Sequence, residues 1–262
     1  MARALAGRRT RLLVWLYIGL VLGFLYLPLL PPILFSLRPD EGGGGITFAW
    51  YLTMWRTPLL ARATVSTLET GLIVAVVAPL LGLAAGMAIR ELRAPRLVLL
   101  LMLLPLFIPG VSMGLASAFF FKLLGIAPSL LTIAIVQTLW ALPFATLVIL
   151  TAMSGFDPVY LEAAYMGGAN RLRAFLDIEL PLIWPGISGA AIFSLVLSFN
   201  ETIRTSLVQG RLNTVQTYIW STYKQIGLSP ALYALMSLLI LVTLGLVGAS
   251  LLARAARDRR PS

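Results

Sequence analysis

Residues 154–181 read SGFDPVYLEAAYMGGANRLRAFLDIELP. This long polar stretch lies between two apolar runs of membrane length, near 129–153 and 182–200. Asp157-Pro158 predicts a helix start, with a carboxylate accepting orphan amides and a proline in the first turn. That helix should run to about Met166 and stop at Gly167-Gly168, where left-handed backbone angles cost little. Asn170 can cap a second helix, which Pro181 is expected to end before the next apolar run begins. On the first helix Leu161 and Tyr165 share one face, and Glu162 and Met166 share the adjoining one. Two short helices with a glycine elbow are therefore expected.

Outward from this stretch the chain is overwhelmingly apolar. Of its 262 residues 59% are hydrophobic and only 11% charged, and the mean hydropathy is +0.93. A soluble core cannot hide so much apolar surface, so lipid must solvate it. Six runs reach the ~20 residues needed to cross a bilayer. They lie near 12–35, 64–89, 97–121, 129–153, 182–200 and 230–252. The expected fold is an all-α polytopic membrane protein with six transmembrane helices. Arg3, Arg8, Arg9 and Arg11 precede the first run as they would in a signal peptide, but no small-residue cleavage site follows. The run is read as a retained span, with residues 12–63 forming that helix and the loop after it.

Thirteen of the twenty Lys and Arg lie in the 1–11 tail, the 90–96 turn, the 154–181 loop and the 253–262 tail. The alternate connections hold seven, so positive-inside bias places both termini and the 154–181 loop in the cytoplasm. On the outer side, Gly42 to Gly45 predicts a turn, and Thr47 to Tyr51 puts aromatics at the interface. Val215, Ile219, Tyr223 and Ile226 recur at helical spacing and predict a short surface helix. Ser229-Pro230 should cap and open the last span. The net charge of +10 falls in short blocks between apolar runs, which argues for topology and against nucleic acid as a partner. There is no Cys and no His, which removes disulfides, thiolate chemistry and the usual metal ligand.

Within the polar loop seven residues keep a fixed spacing: Glu162-Ala163-Ala164, then Gly168, then Ile178, then Leu180-Pro181. Such a set arises by chance in fewer than about one in ten thousand chains of similar composition. It resembles the EAA loop of ABC-importer permeases, the polytopic subunits whose cytoplasmic loop docks onto an ATPase. The span order from about Thr64 onward resembles the MetI-like transmembrane domain, placed here at 64–252 with the loop at 157–181. Leu197-Ser198-Phe199-Asn200-Glu201, with Gly227 to Leu235, is similar to the permeases of spermidine/putrescine-type importers. The resemblance implies a coupling role for Glu162, Ala163, Ala164, Met166, Gly168, Ile178, Leu180 and Pro181. It implies two ATPase subunits, a second permease and an extracytoplasmic binding protein, in a bacterial inner membrane. No cofactor is expected in this chain; ATP and Mg would be bound by the partner ATPase. Neither Lys122 nor Lys224 follows a glycine, so no phosphate loop is present.

Five residues are candidates for the solute pathway. Glu69 is an acid well inside an apolar run and reads as a functional carboxylate or as an interfacial residue reaching water. Gln137 and Trp140, one turn apart, read as path lining or as interhelical bonding and packing. Asn200 and Glu201 end the fifth span, their site role implied mainly by the resemblance. Arg204 lies three residues beyond Glu201, close enough to pair with it and cancel its charge. A polyamine or other small organic cation is the expected solute, with an anion, an amino-acid derivative or a sugar as the alternative. An ion-coupled secondary transporter would depend on Glu69. An intramembrane enzyme would lack His, Cys and paired acids.

Overall fold

The computed structural model describes residues 2–39, 45–92 and 95–258. Residues 42–44 of the expected glycine turn and the end of the 253–262 tail lie outside them. The described chain is helical throughout, with no strand among those residues. Five helices are long and apolar enough to cross a membrane: Thr10–Ser36, Pro58–Glu91, Leu130–Ser154, Arg171–Phe199 and Pro230–Leu252. A bent pair, Pro95–Phe107 with Gly110–Leu123, would make a sixth span.

One compact unit comprises residues 1–57 and 222–242. It contains α1 (Ala2–Tyr26), α2 (Leu30–Ser36) and α3 (Ala49–Arg56), together with the first part of the last helix. Its polar centre is a relay in which the Tyr51 hydroxyl lies 2.7 Å from Ser36 Oγ and 2.6 Å from Ser237 Oγ. The Phe35 and Tyr233 rings pack 5.3 Å apart beside it. Buried hydroxyls need such partners, which is how this unit holds polar groups in an apolar setting.

The second unit, residues 58–221 and 243–262, is built on α4 (Pro58–Glu91). It continues through α5 (Pro95–Leu103), α6 (Gly110–Leu123), α7 (Leu130–Ser154), α8 (Val159–Met166), α9 (Arg171–Ala174), α10 (Leu180–Phe199) and α11 (Ile203–Val208). Its core joins Val74 and Ala78 of α4 to Ala141, Ala145 and Ile149 of α7, and to Ile183, Ile187 and Ala190 of α10. Small residues set the spacing of these helices. A Cβ at Gly82 would stand 3.0 Å from the Thr146 backbone nitrogen, and one at Gly186 would collide with the Ala152 Cβ. The Ala78-Gly82-Gly86 stripe therefore packs against α7 within this chain. This three-helix core fixes both ends of the polar loop, because α7 leads into it and α10 leads out.

The remaining helices are α12 (Val215–Ile226), at the place expected for a surface helix, and α13 (Pro230–Asp258). The Leu232 amide donates to Ser229 Oγ at 3.4 Å, so Ser229-Pro230 does open the last helix.

Two expectations need correction. The run at 97–121 is not one straight span: its two helices meet at 101°. Pro109 pushes Ile108 out of the helical region, to ψ 123°, and the chain tightens into a 3-10 turn at Leu104–Phe107 just before it. Nor does Pro181 end the second loop helix. The helix continues from Arg171 to Phe199 through a π turn at Phe175–Glu179. There the Leu180 amide bonds to the Phe175 carbonyl, five residues back. This shift in register meets the proline where it has no N–H to give.

Candidate functional site

The polar loop has the predicted elbow. The Val159 amide donates to Asp157 Oδ1 at 3.0 Å, anchoring the start of α8. At its end the Ala169 amide bonds to the Ala164 carbonyl at 3.0 Å, and Gly168 lies at φ +84°. Together these form the six-to-one bond and left-handed residue that commonly terminate a helix. Asn170 Oδ1 then accepts from the Arg173 amide at 2.8 Å and opens α9.

The faces of α8 differ. Glu162, Ala163 and Met166 are exposed, Met166 at 91%, and Gly168 and Pro181 are exposed as well. Ala164, Ile178 and Leu180 are half-buried. Leu161 and Tyr165 line a cavity of about 710 Å³ with Met87, Phe156 and Phe175. Thus most of α8 is exposed, Tyr165 included at 45%, and only Leu161 and Ala164 are half-buried.

Two residues that sequence reasoning missed hold this loop to the helix core. Glu179, in the π turn, is 1% exposed, and Arg90 near the end of α4 donates to its Oε1. A buried carboxylate needs such a partner. The only signal was the presence of an acid between Ile178 and Leu180; nothing linked it to Arg90, 89 positions away.

The pathway candidates separate into a cluster and two outliers. Gln137 is 1% exposed. Its Nε2 donates to Thr205 Oγ1 at 2.9 Å and its Oε1 accepts from Ser198 Oγ at 2.5 Å, joining α7, α10 and α11. Glu201 is buried; Oε2 accepts from Arg204 Nη1 at 2.7 Å and Oε1 from the Arg204 amide at 2.9 Å. The Arg204 guanidinium stacks over Trp140, 3.8 Å from the ring centroid. Asn200 is exposed and bonds back to the Val196 carbonyl of its own helix. Glu69 is exposed on α4 and enters none of these bonds. Gln137, Trp140 and Glu201 thus belong to one buried polar region, completed by Ser198, Arg204 and Thr205.

Residues 45–260 match the family model of the binding-protein-dependent transport system inner membrane component. The chain belongs to this family. It is an ABC-importer permease, a multi-pass inner-membrane subunit of a binding-protein-dependent transport system. The spermidine/putrescine transport system permease protein PotC of Escherichia coli K12 is 28% identical over 255 residues, covering 95% of this chain and 96% of that protein. The putrescine transport system permease protein PotI of the same organism is 28% identical over 262 residues, covering 94% and 93%. Among solved structures, a bacterial transporter importing the acidic polysaccharide alginate matches with TM-score 0.65 at 20% identity, covering 97% of this permease and 98% of that chain. The MetNI methionine transporter in inward-facing form matches with TM-score 0.65 at 19% identity, covering 80% and 99%. These structural likenesses establish the permease fold alone.

Proposed function

We propose that this permease forms half of the translocation pathway for a polyamine or similar small organic cation, and that α8 couples the pathway to a separate ATPase. The observation behind the coupling role is the split character of α8. Glu162, Ala163 and Met166 stand exposed, while Leu161 is half-buried and lines the loop's own cavity. Two alanines keep the helix slim enough for close backbone approach, and Glu162 offers one charge to an arginine. The full assembly in this reading holds two ATPases, which bind ATP and Mg. It also holds this chain, a related second permease and an extracytoplasmic binding protein. Both termini and the 157–181 loop face the cytoplasm, as the basic-residue bias argues.

The cation assignment leans on the similarity to PotC and PotI. The buried Glu201–Arg204 pair is the observation that favours the alternative, an anion, an amino-acid derivative or a sugar on the same scaffold, because it neutralises the nearest carboxylate. Co-purification of the native complex, with ATP-driven uptake in proteoliposomes and direct solute binding by the partner binding protein, separates the readings. Recovery with an ATPase and uptake of putrescine or spermidine is expected. Uptake driven by an ion gradient without ATP would overturn the coupling role. A binding protein that takes only anions or sugars would overturn the cation assignment.

A further inference from the structure

The Arg204 guanidinium occupies a cage with two functional walls. One is the face of Trp140 at 3.8 Å; the other is the Glu201 carboxylate at 2.7 Å. Gly110, the first residue of α6, leaves room beside them: a Cβ there would come within 3.3 Å of the guanidinium carbon. An aromatic face with a carboxylate is the chemistry that holds an organic ammonium. Arg204 fits this cage imperfectly. Its side chain is nine-tenths buried, yet Nε lies buried without a hydrogen-bond partner. An orphaned buried donor is unfavourable. A primary ammonium carries its donors at the tip and has none along its stem to be orphaned in this way.

Two further features suit exchange of the occupant. Glu201 Oε1 is held by the Arg204 backbone amide, so the carboxylate stays in position when the guanidinium leaves. The aromatic surface also extends beyond the cage. The Phe144 ring stands 5.2 Å from Trp140, and Phe193 of α10, 40% exposed, stands 5.8 Å from Phe144.

We propose that Trp140 and Glu201 form the cation subsite of this permease, and that Arg204 is its tethered resident, displaced by an ammonium group of the solute. The inference rests on the cation-importer reading. It makes the guanidinium a built-in competitor that keeps the cage closed until solute arrives. If Arg204 fills the cage nine-tenths of the time or more, removing it should tighten solute binding about tenfold or better.

The chain has no cysteine, so Arg204→Cys gives this permease one addressable thiol. In the purified permease–ATPase complex, R204C should bind radiolabelled putrescine at least about tenfold more tightly than wild type. Aminoethyl methanethiosulfonate, which restores a tethered ammonium at position 204, should abolish the gain. The uncharged methyl reagent should preserve it. Equal affinity of R204C and wild type, or equal effects of the two reagents, would overturn the proposal. Should R204C fail to assemble, the doubly neutral E201Q/R204Q is compared with the same variant carrying Trp140→Leu: weaker putrescine binding without the ring supports the subsite, and equal binding rejects it. Wild-type uptake of putrescine, driven by ATP and its binding protein, is measured alongside. Its absence defeats the cation-importer reading, whereas normal uptake with no R204C gain defeats only this inference.

Discussion

Arg90→Ala tests whether the α4–π-turn link is a structural joint or a passing contact. Glu179 has a side chain only 2% exposed, while Arg90 is 39% exposed. Removing one partner of a fully buried pair costs about 3–5 kcal/mol, because a charge is left uncompensated. Arg90 is reached by water, so screening lowers the expected cost of Arg90→Ala to about 2–3 kcal/mol. Glu91, 4.0 Å from Arg90 and 60% exposed, contributes little either way. Glu179→Gln keeps the shape and an acceptor for Arg90, and should cost about 1–2 kcal/mol. The double variant buries no charge, so it should be more stable than Arg90→Ala alone. Unfolding titrations of the four proteins in mixed micelles give the cycle, with an expected coupling of at least about 1 kcal/mol. Transport per ATP hydrolysed should fall in Arg90→Ala while hydrolysis continues, since α8 would then move without α4. Additivity within about 0.5 kcal/mol, or full coupling in Arg90→Ala, would refute the joint.

Glu162→Lys reverses the one charge on the free face of α8 and should abolish uptake while membrane insertion stays normal; wild-type uptake with normal ATPase recruitment would contradict docking there. Gly168 has φ +84° and open space around it, so its substitutions act through the backbone alone. Gly168→Ala should cost about 1–2 kcal/mol of loop order and Gly168→Val more, read as progressive loss of ATPase co-purification; equal effects would mean the elbow is not held at positive φ. Gly82→Ala should lower complex stability by about 1–3 kcal/mol, because its Cβ meets the Thr146 backbone and not a movable side chain. An unshifted melting temperature would show that α4 and α7 have room between them.

What the sequence disclosed follows from how local each determinant is. Spans need about 20 contiguous apolar residues, so the runs at 12–35, 129–153 and 230–252 fall within two residues of Thr10–Ser36, Leu130–Ser154 and Pro230–Leu252, whereas Pro58–Glu91 and Arg171–Phe199 begin 6 and 11 residues before the runs read for them. The elbow was readable because Asp157, Gly168 and Asn170 act on their own neighbours. Glu201–Arg204 was readable at i,i+3. Apolar length, by contrast, says nothing of direction, and the 101° bend at Ile108-Pro109 was hidden inside a run long enough to cross. Trp140 could be read as path lining or as interhelical packing, but its stacking on Arg204 depends on how α7 meets α11. Glu179 was invisible for the same reason: only the fold brings Arg90 to it.

The misread role of Pro181 bears most on mechanism. Had proline ended the second loop helix, a flexible joint would stand between the loop and the fifth span, and motion of α8 would dissipate there. Instead the helix runs unbroken from Arg171 to Phe199, and the π turn at Phe175–Glu179 brings Glu179 to Arg90. The compliant point is moved to Gly168, before this rod begins. In the proposed coupling, a displacement of α8 by an ATPase would cross the glycine elbow and then a continuous helix. That helix carries Ser198 at its far end, where the hydroxyl bonds to Gln137. Glu201 follows two residues beyond the helix end, in the cage that Arg204 occupies. If α8 docks and Arg204 yields as proposed, movement of the loop and release of Arg204 from Trp140 would be two ends of one lever.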